Sequence, residues 1–458
     1  MASELSERAR MEAEAVAPAA RDIAQHLWEW AEVGYQEHKS SELMQSYLRD
    51  SGFKITTGLA GIPTAFEASY GQSGPIIGIL AEMDALPGMA HAPLAKKEAL
   101  SGAGQACGHN LFAGGSVAAA IAVKRWLVDT GTSGQIRLYA TPAEEGGAGK
   151  VYLARAGVFD DLDVALHWHP GDENNASPYT TLANKSAKFR FRGIASHAAI
   201  SPHQGRSALD AVEAMNYMAN LMREHIPETA RIHYVITDGG KAPNIVPDFA
   251  EVYYYVRAPQ ASVVIDLWKR LTNAAEGAAL GTGTHVDWEV VSGVWNMLPN
   301  IALARVMGDA MQQLGGISLT EDEQAFGQQI EATLANPAID VQVKAMEVQP
   351  FTDHIGLSYA STDVGDVSWT VPTAGITTAT WFSGVWPHTW QAAALSGTES
   401  AYKGMNKATE VIALTAMRLF SQPVLVDQAK AEFEQRKGEQ AYNPLIGQRS
   451  PPLDYRKK

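Results

Sequence analysis

The sequence predicts an α/β fold with a mixed, mostly parallel sheet and a second, smaller α+β domain inserted into it. Two observations lead to this prediction. Up to Pro170, short apolar runs typical of strands alternate with stretches of helical period, which is the pattern of a parallel sheet covered by helices. From Ser186 onward the order of elements becomes β-α-β-β-α-β, which is the order of a ferredoxin-like sandwich.

Length and charge limit the classes of protein that fit. The chain has 458 residues, with 36 Lys and Arg against 50 Asp and Glu, so its formal net charge is −14. This length suits two or three domains, and the acidic balance argues against nucleic acid as a partner. The single cysteine excludes an internal disulfide framework and fits a reducing compartment. With no secretory signal and no uninterrupted apolar stretch of membrane-spanning length, we expect a cytoplasmic protein with no membrane partner.

The elements of the first domain follow from the spacing of apolar residues. A spacing near 3.6 predicts helices, and short apolar runs predict strands. The predicted helices are 8–33, 40–48 and 112–128, and the predicted strands are 64–70, 76–82, 135–140 and 163–169. Because ligands bind at the carboxyl ends of parallel strands, we expect functional residues in the loops that follow these strands.

The inserted domain begins with a strand that contains Phe189 and Phe191. The elements predicted after it are a helix at 207–223, strands at 231–237 and 250–256, a helix at 262–280 and a strand at 285–291. Helices at 301–314, 321–334 and 399–419 then return the chain to the first domain. The predicted organisation is therefore a first domain made of 1–184 and 297–458, interrupted by a domain at 185–296. The tail 443–458, rich in proline and charge, is expected to be poorly ordered.

A first group of candidate residues lies in the glycine-flanked loop before the helix 112–128. Cys107 and His109 stand two residues apart there, and a thiolate and an imidazole are good ligands for zinc or similar divalent ions. A lone cysteine is more often a small buried hydrophobe. Cys107 and His109 are therefore interpreted as metal ligands only if other ligand-type residues accompany them.

Two further segments place ligand-type side chains at strand ends. Glu144 and Glu145 follow the strand 135–140 and point in different directions, so that one can bind a metal while the other acts on a water. The strand 163–169 ends with His167 and His169, which share a face and are not separated by alternation. The ordinary alternatives are an exposed acidic turn and a core histidine.

His388 stands late in the chain among aromatic residues. Together with Cys107, His109, Glu145 and one of the two strand histidines, it completes an inventory for two adjacent metal ions. Glu144 is left over as a general base. Because these residues fall in predicted loops at strand ends, we interpret the chain as a metallohydrolase.

These residues resemble those of the M20 family of metallopeptidases, specifically its amidohydrolase branch. The branch has a Cys-Gly-His loop, a Glu-Glu pair after a strand and a late His, which stand here at 107–109, 144–145 and 388. Longer matching strings span nearly the whole chain and lie at 106–110, 168–170, 201–211, 361–369 and 388–391. The resemblance implies a metal-dependent exopeptidase-like catalytic domain and a ferredoxin-like α+β lid that also dimerises.

The resemblance implies roles for individual residues of the catalytic domain. The side chains that resemble the family's metal ligands are Cys107, His109, Glu145, His169 and His388. Glu144 resembles the general base, and Asp84 a carboxylate that orients the metal site from behind. His169 is preferred to His167 because the family places this ligand six residues after the Asp that starts the strand, here Asp163.

In the inserted domain, His197 resembles a lid histidine that reaches the active site of the opposite protomer and stabilises the tetrahedral oxyanion. Asn244 and Arg257 resemble a pair that binds the substrate's carboxylate, for which a planar guanidinium is suited. Without the resemblance, Arg257 would be interpreted as a surface charge on a strand. Asn110 departs from the wider branch, which has Asp there, and we expect its uncharged amide to support the metal less strongly.

The resemblance implies a dinuclear metal-dependent amidohydrolase that cleaves an N-acyl amino acid, such as p-aminobenzoyl-glutamate, into a carboxylic acid and an amino acid. It implies two divalent metal ions per protomer, manganese or zinc. Cys107 favours zinc by its softness, whereas the relatives suggest manganese. The implied partners are the small-molecule substrate, a second copy bound through the lid, and a paralogous A-type subunit.

Two alternatives stay open. In one, the chain is a non-catalytic or partner-dependent binding subunit of a heteromeric hydrolase, against which the complete ligand set with Glu144 argues. In the other, it is an aminopeptidase or carbamoylase of the same clan, with a different pocket. The aromatic residues around His388 either line a pocket for an aromatic acyl group or form core; they are Trp381, Phe382, Trp386 and Trp390.

Overall fold

The computed structural model of the protein describes residues 2–335 and 341–457. The α-helices in these residues are α1 (Ala2–Trp30), α2 (His38–Asp50), α3 (His109–Thr130), α4 (Gly149–Arg155), α5 (Ala208–Met222), α6 (Ala261–Thr282), α7 (Ile301–Leu314), α8 (Glu321–Glu331), α9 (Val341–Met346), α10 (Val364–Ser368), α11 (Trp390–Leu395), α12 (Glu399–Ser421) and α13 (Pro423–Lys437). The strands are β1 (Lys54–Thr57), β2 (Phe66–Tyr70), β3 (Ile76–Ala81), β4 (Gln135–Ala140), β5 (Val164–Gly171), β6 (Tyr179–Thr180), β7 (Ala183–Arg192), β8 (Arg231–Asp238), β9 (Phe249–Ala258), β10 (His285–Val294), β11 (Gly356–Leu357) and β12 (Thr373–Ala379).

The larger sheet has six strands in the order β1-β2-β4-β3-β5-β12. The four strands β4, β3, β5 and β12 are parallel to one another, while β1 and β2 add an antiparallel edge. The predicted mixed, mostly parallel sheet is thus confirmed. Because the four parallel strands end at one edge, the loops after them meet there.

Helix α3 lies at the centre of the larger domain and packs against both α1 and α12. Two glycines permit this close packing: a Cβ at Gly114 would lie 2.5 Å from the carbonyl oxygen of Ala20, and one at Gly115 would lie 2.9 Å from the Trp168 ring. Among the described residues, α3 is the one helix long and apolar enough to cross a membrane. Since 83% of its apolar window is buried inside the protein, core packing accounts for that composition.

The second sheet is antiparallel with the order β10-β7-β9-β8, which is the strand order of a ferredoxin-like unit. Its helices α5 and α6 pack on each other and on this sheet. The apolar residues between them, such as Phe189, Phe191 and Tyr254, form a hydrophobic cluster separate from that of the larger sheet. The β-α-β-β-α-β order expected from the sequence is therefore observed.

The C-terminal tail differs from the expectation of poor order. Leu445 and Ile446 are buried, and the indole nitrogen of Trp295 donates a hydrogen bond of 2.9 Å to the carbonyl of Asn443. Helix α13, which was not predicted from the sequence, directly precedes the tail and leads it to this position. Two apolar residues among prolines and charges are too few to signal burial, because only the surrounding surface provides their contacts.

Candidate metal centre

The candidate site lies at the carboxyl edge of the parallel strands, as the sequence predicts for its functional loops. Each of these strands delivers ligand-type side chains to that edge, and the start of α3 adds two more. They are Glu82 and Asp84 after β3, Glu144 and Glu145 after β4, His169 on β5, His388 after β12, and Cys107 and His109 at the start of α3.

The ligand-type atoms of the described residues form three groups: one of Glu82, His109 and Glu144, and two that share the Cys107 sulfur. Cys107, His109 and His169 make one group, and Cys107, Glu145 and His388 make the other, with the atoms of each group within 4.8 Å of one another. The Cys107 Sγ lies 3.5 Å from the His169 Nε2, and the His388 Nε2 lies 2.9 Å from a Glu145 carboxylate oxygen. The five residues expected as ligands are thus brought together in an arrangement suited to two neighbouring cations.

The orientation of His109 supports a metal as the missing partner. Its Nδ1 lies 3.1 Å from the Asp84 carboxylate and 3.0 Å from the Asp84 carbonyl. Its Nε2 is fully buried and lies 3.0 Å from a Glu82 carboxylate oxygen, although it makes no hydrogen bond of suitable geometry within the described residues. An imidazole whose outer nitrogen is held by a carboxylate, and whose other nitrogen faces further ligand-type atoms, is oriented as a metal ligand. The donor set of thiol, imidazoles and carboxylate fits divalent ions of the zinc or manganese kind.

Asp84 also holds the turn that carries the two glutamates. The backbone N–H groups of Glu144 and Glu145 donate to its two carboxylate oxygens, at 3.2 and 2.9 Å. One buried carboxylate therefore orients His109 and the turn together. This geometry suits the role that the resemblance implies for Asp84.

The electrostatic environment separates the two adjacent glutamates. Burial, together with the charges of Glu82 and Glu145, raises the pKa of Glu144 well above its ordinary value. Burial also acts upward on Glu145, but the hydrogen bond from His388 and the charge of His109 outweigh it and lower the pKa of Glu145. Burial and neighbouring charge thus favour the protonated form of Glu144 more than that of Glu145. Two acids with divergent pKa values are the mark of divided roles.

The two histidines of β5 have different surroundings. His169 faces the Cys107 sulfur, and its ring lies edge-on to that of His109 at 5.7 Å. His167 packs instead against β12, where a Cβ at Gly375 would lie 2.3 Å from its ring. Burial lowers the pKa of His167 to about 4, so this side chain is neutral. The structure therefore brings His169, and not His167, to the candidate ligands.

In the described part of the chain, no hydrogen bond, ion pair or ring contact joins the three predicted residues of the inserted domain to this cluster. His197 is exposed, and its Nδ1 accepts hydrogen bonds from the N–H groups of Ala199 and Ile200. Asn244 is also exposed, and Arg257 lies on β9 with its guanidinium over the ring of Tyr255. Their proposed functions would require a second protomer or a movement of the lid.

A buried ion network behind the site was not predicted. The Lys150 ammonium is fully buried and lies 2.7 Å from a Glu82 oxygen and 2.8 Å from an Asp363 oxygen. The other Glu82 oxygen lies 3.0 Å from the His109 Nε2. Glu82 stands two residues before Asp84, so its strand-end position was an available signal. Lys150 and Asp363 are 213 residues apart, and no local pattern links them.

The structure also shows the surroundings of Asn110 and of the aromatic residues near His388. Asn110 donates both amide hydrogens, to the carbonyls of Ala24 and Ser396 at 2.9 Å each. Its amide ties α3 to its neighbours, a task that an Asp carboxylate could not perform. The aromatic residues near His388 also divide: Trp381 and Phe382 are buried in core, whereas Trp386 is 75% exposed.

Known proteins match both the sequence and this architecture. The family model of peptidase family M20/M25/M40 matches residues 78–385. The chain is 40% identical over 448 residues to the B subunit of p-aminobenzoyl-glutamate hydrolase from Escherichia coli, covering 92% of this chain and 93% of the relative. It is 30% identical over 450 residues to a Xaa-Arg dipeptidase of Mus musculus, covering 94% of each.

Two more distant matches concern a paralogue and a solved structure. The A-type subunit of the Escherichia coli p-aminobenzoyl-glutamate hydrolase is 27% identical over 278 residues, covering 57% of this chain and 62% of the relative. A dinuclear metal-binding peptidase from the M20 family of Bacillus subtilis superposes with a TM-score of 0.62 at 16% identity, covering 89% of this chain and 99% of that one. At such identity, the likeness shows the fold alone.

Proposed function

Because the chain belongs to peptidase family M20/M25/M40 and is a metal-dependent amidohydrolase of N-acyl amino acids, we propose that its substrates carry an aromatic acyl group, with p-aminobenzoyl-glutamate as the first candidate. The observation that carries the proposal is the pair of ligand groups joined at Cys107, with Glu144 beside them. The 40% identity to one component of a p-aminobenzoyl-glutamate hydrolase supports the choice of substrate.

The proposed chemistry divides the work among the residues of the site. One cation would be held by Cys107, His109 and His169, and the other by Cys107, Glu145 and His388. When bound, such ions supply Lewis acidity that polarises the amide carbonyl and activates water near neutral pH. Glu144 accepts the proton from the attacking water on its carboxylate and then donates it to the leaving amine.

The aromatic acyl group has a candidate contact in Trp386. This side chain is 75% exposed and stands two residues before His388, whereas its neighbours Trp381 and Phe382 are buried. An exposed indole has an apolar face available for stacking on an aminobenzoyl ring.

The proposed assembly is a homodimer formed through the inserted domain. Strand β8 is an edge strand of its sheet, and Val235 and Ile236 on it are exposed, as are Tyr217 and Leu221 on the adjacent helix α5. An open edge with apolar side chains favours pairing with a second copy. In such a dimer, His197 would stabilise the oxyanion in the partner's site, and Asn244 with Arg257 would bind the substrate's carboxylate.

Three finer points belong to the same proposal. The native ions are manganese or zinc, since the thiol favours zinc by its softness and the other ligands suit either metal. A paralogous A-type subunit is a further partner, supported by the 27% identity to that component of the Escherichia coli hydrolase. The single cysteine fits a cytoplasmic location.

The test is glutamate release from p-aminobenzoyl-glutamate by purified protein that has been stripped of metal and reloaded with manganese or zinc. Xaa-Arg dipeptides are assayed in parallel, because a relative at 30% identity is named for them. Metal-dependent glutamate release would support the proposal and identify the preferred ion. Hydrolysis of the Xaa-Arg dipeptides alone would show that dipeptides, and not N-acyl amino acids, are the substrates. No release with two metals bound would favour the partner-dependent role, to be tested by adding the A-type subunit.

A further inference from the structure

The C-terminal tail ends at the candidate metal centre. We propose that Tyr455 and Arg456 are positioning residues, which hold the turn of Glu144 and Glu145 in the orientation that the centre needs. This inference rests on the proposed function, because it assigns a role in the same site. Nothing in the charged and proline-rich sequence of the tail signals such a role.

The contact is made to the backbone of a proposed ligand. The carbonyl oxygen of Glu145 accepts a hydrogen bond of 3.1 Å from the Tyr455 hydroxyl and one of 2.8 Å from the Arg456 guanidinium. On the amide side, the N–H groups of Glu144 and Glu145 donate to Asp84. The turn is therefore held through its amides by Asp84 and through its carbonyl by the tail.

The turn has a conformation that needs such support. Ala143 and Ala148, at its two ends, have φ values of +59° and +55°, which residues other than glycine rarely adopt. Backbone in this region persists where surrounding contacts impose it. The Ala143 N–H donates to Glu37 at 2.9 Å, and the Gly147 carbonyl accepts from a tyrosine hydroxyl at 2.7 Å. The tail adds the contacts at Glu145 itself.

The end of the tail packs against residues 34–36, which leave space for it. The Tyr455 ring packs edge-on against Tyr35 at 5.7 Å, and Tyr35 is the residue that binds the Gly147 carbonyl. A Cβ at Gly34 would lie 2.4 Å from the Tyr455 hydroxyl, so glycine leaves the space that this hydroxyl occupies. The Gln36 amide donates to the Leu453 carbonyl at 2.8 Å. Segment 34–36 thus receives the tail and supports the turn at once.

The preceding part of the tail is anchored along its path. Arg155 donates to the carbonyls of Gly447 and Arg449, at 2.7 Å each, and Arg449 donates to the Val290 carbonyl on β10 at 2.9 Å. Leu445 packs against Gly293 of the same strand. The tail therefore runs from a strand of the inserted domain to the catalytic turn, which places its last residues reproducibly.

The test compares metal retention and kinetics in full-length variants. Tyr455→Phe and Arg456→Ala are combined to remove both donors, and Lys457→Ala is the control because Lys457 is exposed and pairs with Asp454. Metal per chain is measured after dialysis against increasing chelator, and kcat and KM are measured on the best substrate. We expect the double variant to lose metal at about tenfold lower chelator, since supporting contacts of this kind change metal affinity by about 10–100-fold. In the double variant, kcat should fall about tenfold, and KM should change less than kcat. The Arg456→Lys variant keeps a cation at this position and should retain most of the activity.

The opposing outcomes are distinct. Metal retention and kcat equal to those of the wild type in the double variant would overturn the proposal, as would an equal loss in Lys457→Ala. Thermal unfolding is recorded for each protein, and a lowered midpoint with unchanged metal affinity of the folded protein would assign the tail a merely structural role. If the wild type cleaves no N-acyl amino acid, the proposed function fails. The chelator series then still decides whether the tail positions the turn.

Discussion

Cys107 is the residue on which the two ligand groups converge. Burial raises the pKa of its thiol well above the ordinary value, so without a cation the side chain stays protonated. A coordinating metal removes such a proton outright, which couples metal binding to pH. This coupling makes the cysteine the side chain whose loss affects both groups.

We predict different metal stoichiometries for two ligand variants. Cys107→Ser should lower the affinity for both ions, because the sulfur belongs to both groups, whereas His388→Ala should release only the ion of its own group. Metal per chain after dialysis against a chelator measures the difference. Equal loss of both ions in the two variants would contradict the shared role of Cys107.

Glu144 should be needed for turnover and not for metal. Glu144→Gln removes the group that accepts and returns the proton, so kcat should fall by about 10²–10⁴-fold while two metals stay bound. Glu228→Gln, an exposed glutamate of the inserted domain, serves as the matched control. Full activity in the Glu144 variant would show that another group is the base.

At the scale of elements, the helices α4 and α10 are joined behind the site by a buried ion network. Lys150 on α4 lies between Glu82 at the end of β3 and Asp363, which immediately precedes α10. Removing the one cation leaves two carboxylates buried without their partner. The cost of such an uncompensated charge exceeds that of breaking an exposed ion pair.

Lys150→Met should therefore destabilise the metal-free protein by about 3–5 kcal/mol. Lys430→Met is the control, because Lys430 forms an exposed ion pair with Asp163 and should cost about 0–1 kcal/mol. Urea unfolding of both variants measures the difference. Similar unfolding free energies for the two would show that the buried network is not a net support of the fold.

Asp366 on helix α10 should make the stability of the protein depend on pH. Burial raises the pKa of Asp366 from 3.8 to about 8, although its oxygens accept from the Trp295 N–H at 3.0 Å and the Tyr442 hydroxyl at 2.8 Å. Between these pH values the unfolded chain has released the proton that the folded chain keeps. The free energy of unfolding therefore falls as pH rises from about 4 to about 8.

Replacing this carboxyl should remove that part of the dependence. Urea unfolding of the wild type and of Asp366→Asn, at several pH values from 5 to 8, compares the two slopes. The contribution of one such group is at most about 1.4 kcal/mol per pH unit. Parallel slopes would mean that Asp366 is ionised in the folded protein at neutral pH.

At the scale of the whole molecule, the exposure of His197 bears on the proposed dimer. If His197 of one protomer completes the partner's site, Glu144→Gln and His197→Ala proteins are each inactive but complement one another. A mixed dimer has one site with intact Glu144 that receives an intact His197. Because half of randomly mixed dimers are hybrids with one working site of two, about a quarter of wild-type activity should return.

Activity of the mixture, after co-refolding or co-expression, measures this complementation. Two Glu144→Gln preparations mixed in the same way provide the control. No recovery, despite hybrid dimers shown by a tag on one variant, would remove His197 from the partner's site. An active monomer in gel filtration would contradict the shared site as well.

Much of this molecule is determined locally and was therefore predictable. The strand Gln135–Ala140 and the helix Ile301–Leu314 have the predicted bounds, because apolar periodicity records which face of an element is buried. The ligand-type residues could be proposed from the sequence because each short segment that carries them, at a strand end or before α3, has residue types suited to metal binding. The order of elements was sufficient to predict the class of both sheets, whereas the strands β1 and β12 of the larger sheet were not predicted.

Only the tertiary structure decided which of these residues meet. It brought His169 to Cys107 while His167 packs against β12, which agrees with the choice that the family resemblance implied and that alternation along one strand cannot make. It paired Lys150 with Asp363, and it seated Tyr455 on the carbonyl of Glu145 across 310 residues of chain. The physical reason is the same each time: a buried charge or carbonyl is satisfied by a partner distant in sequence, and sequence periodicity carries no record of that partner.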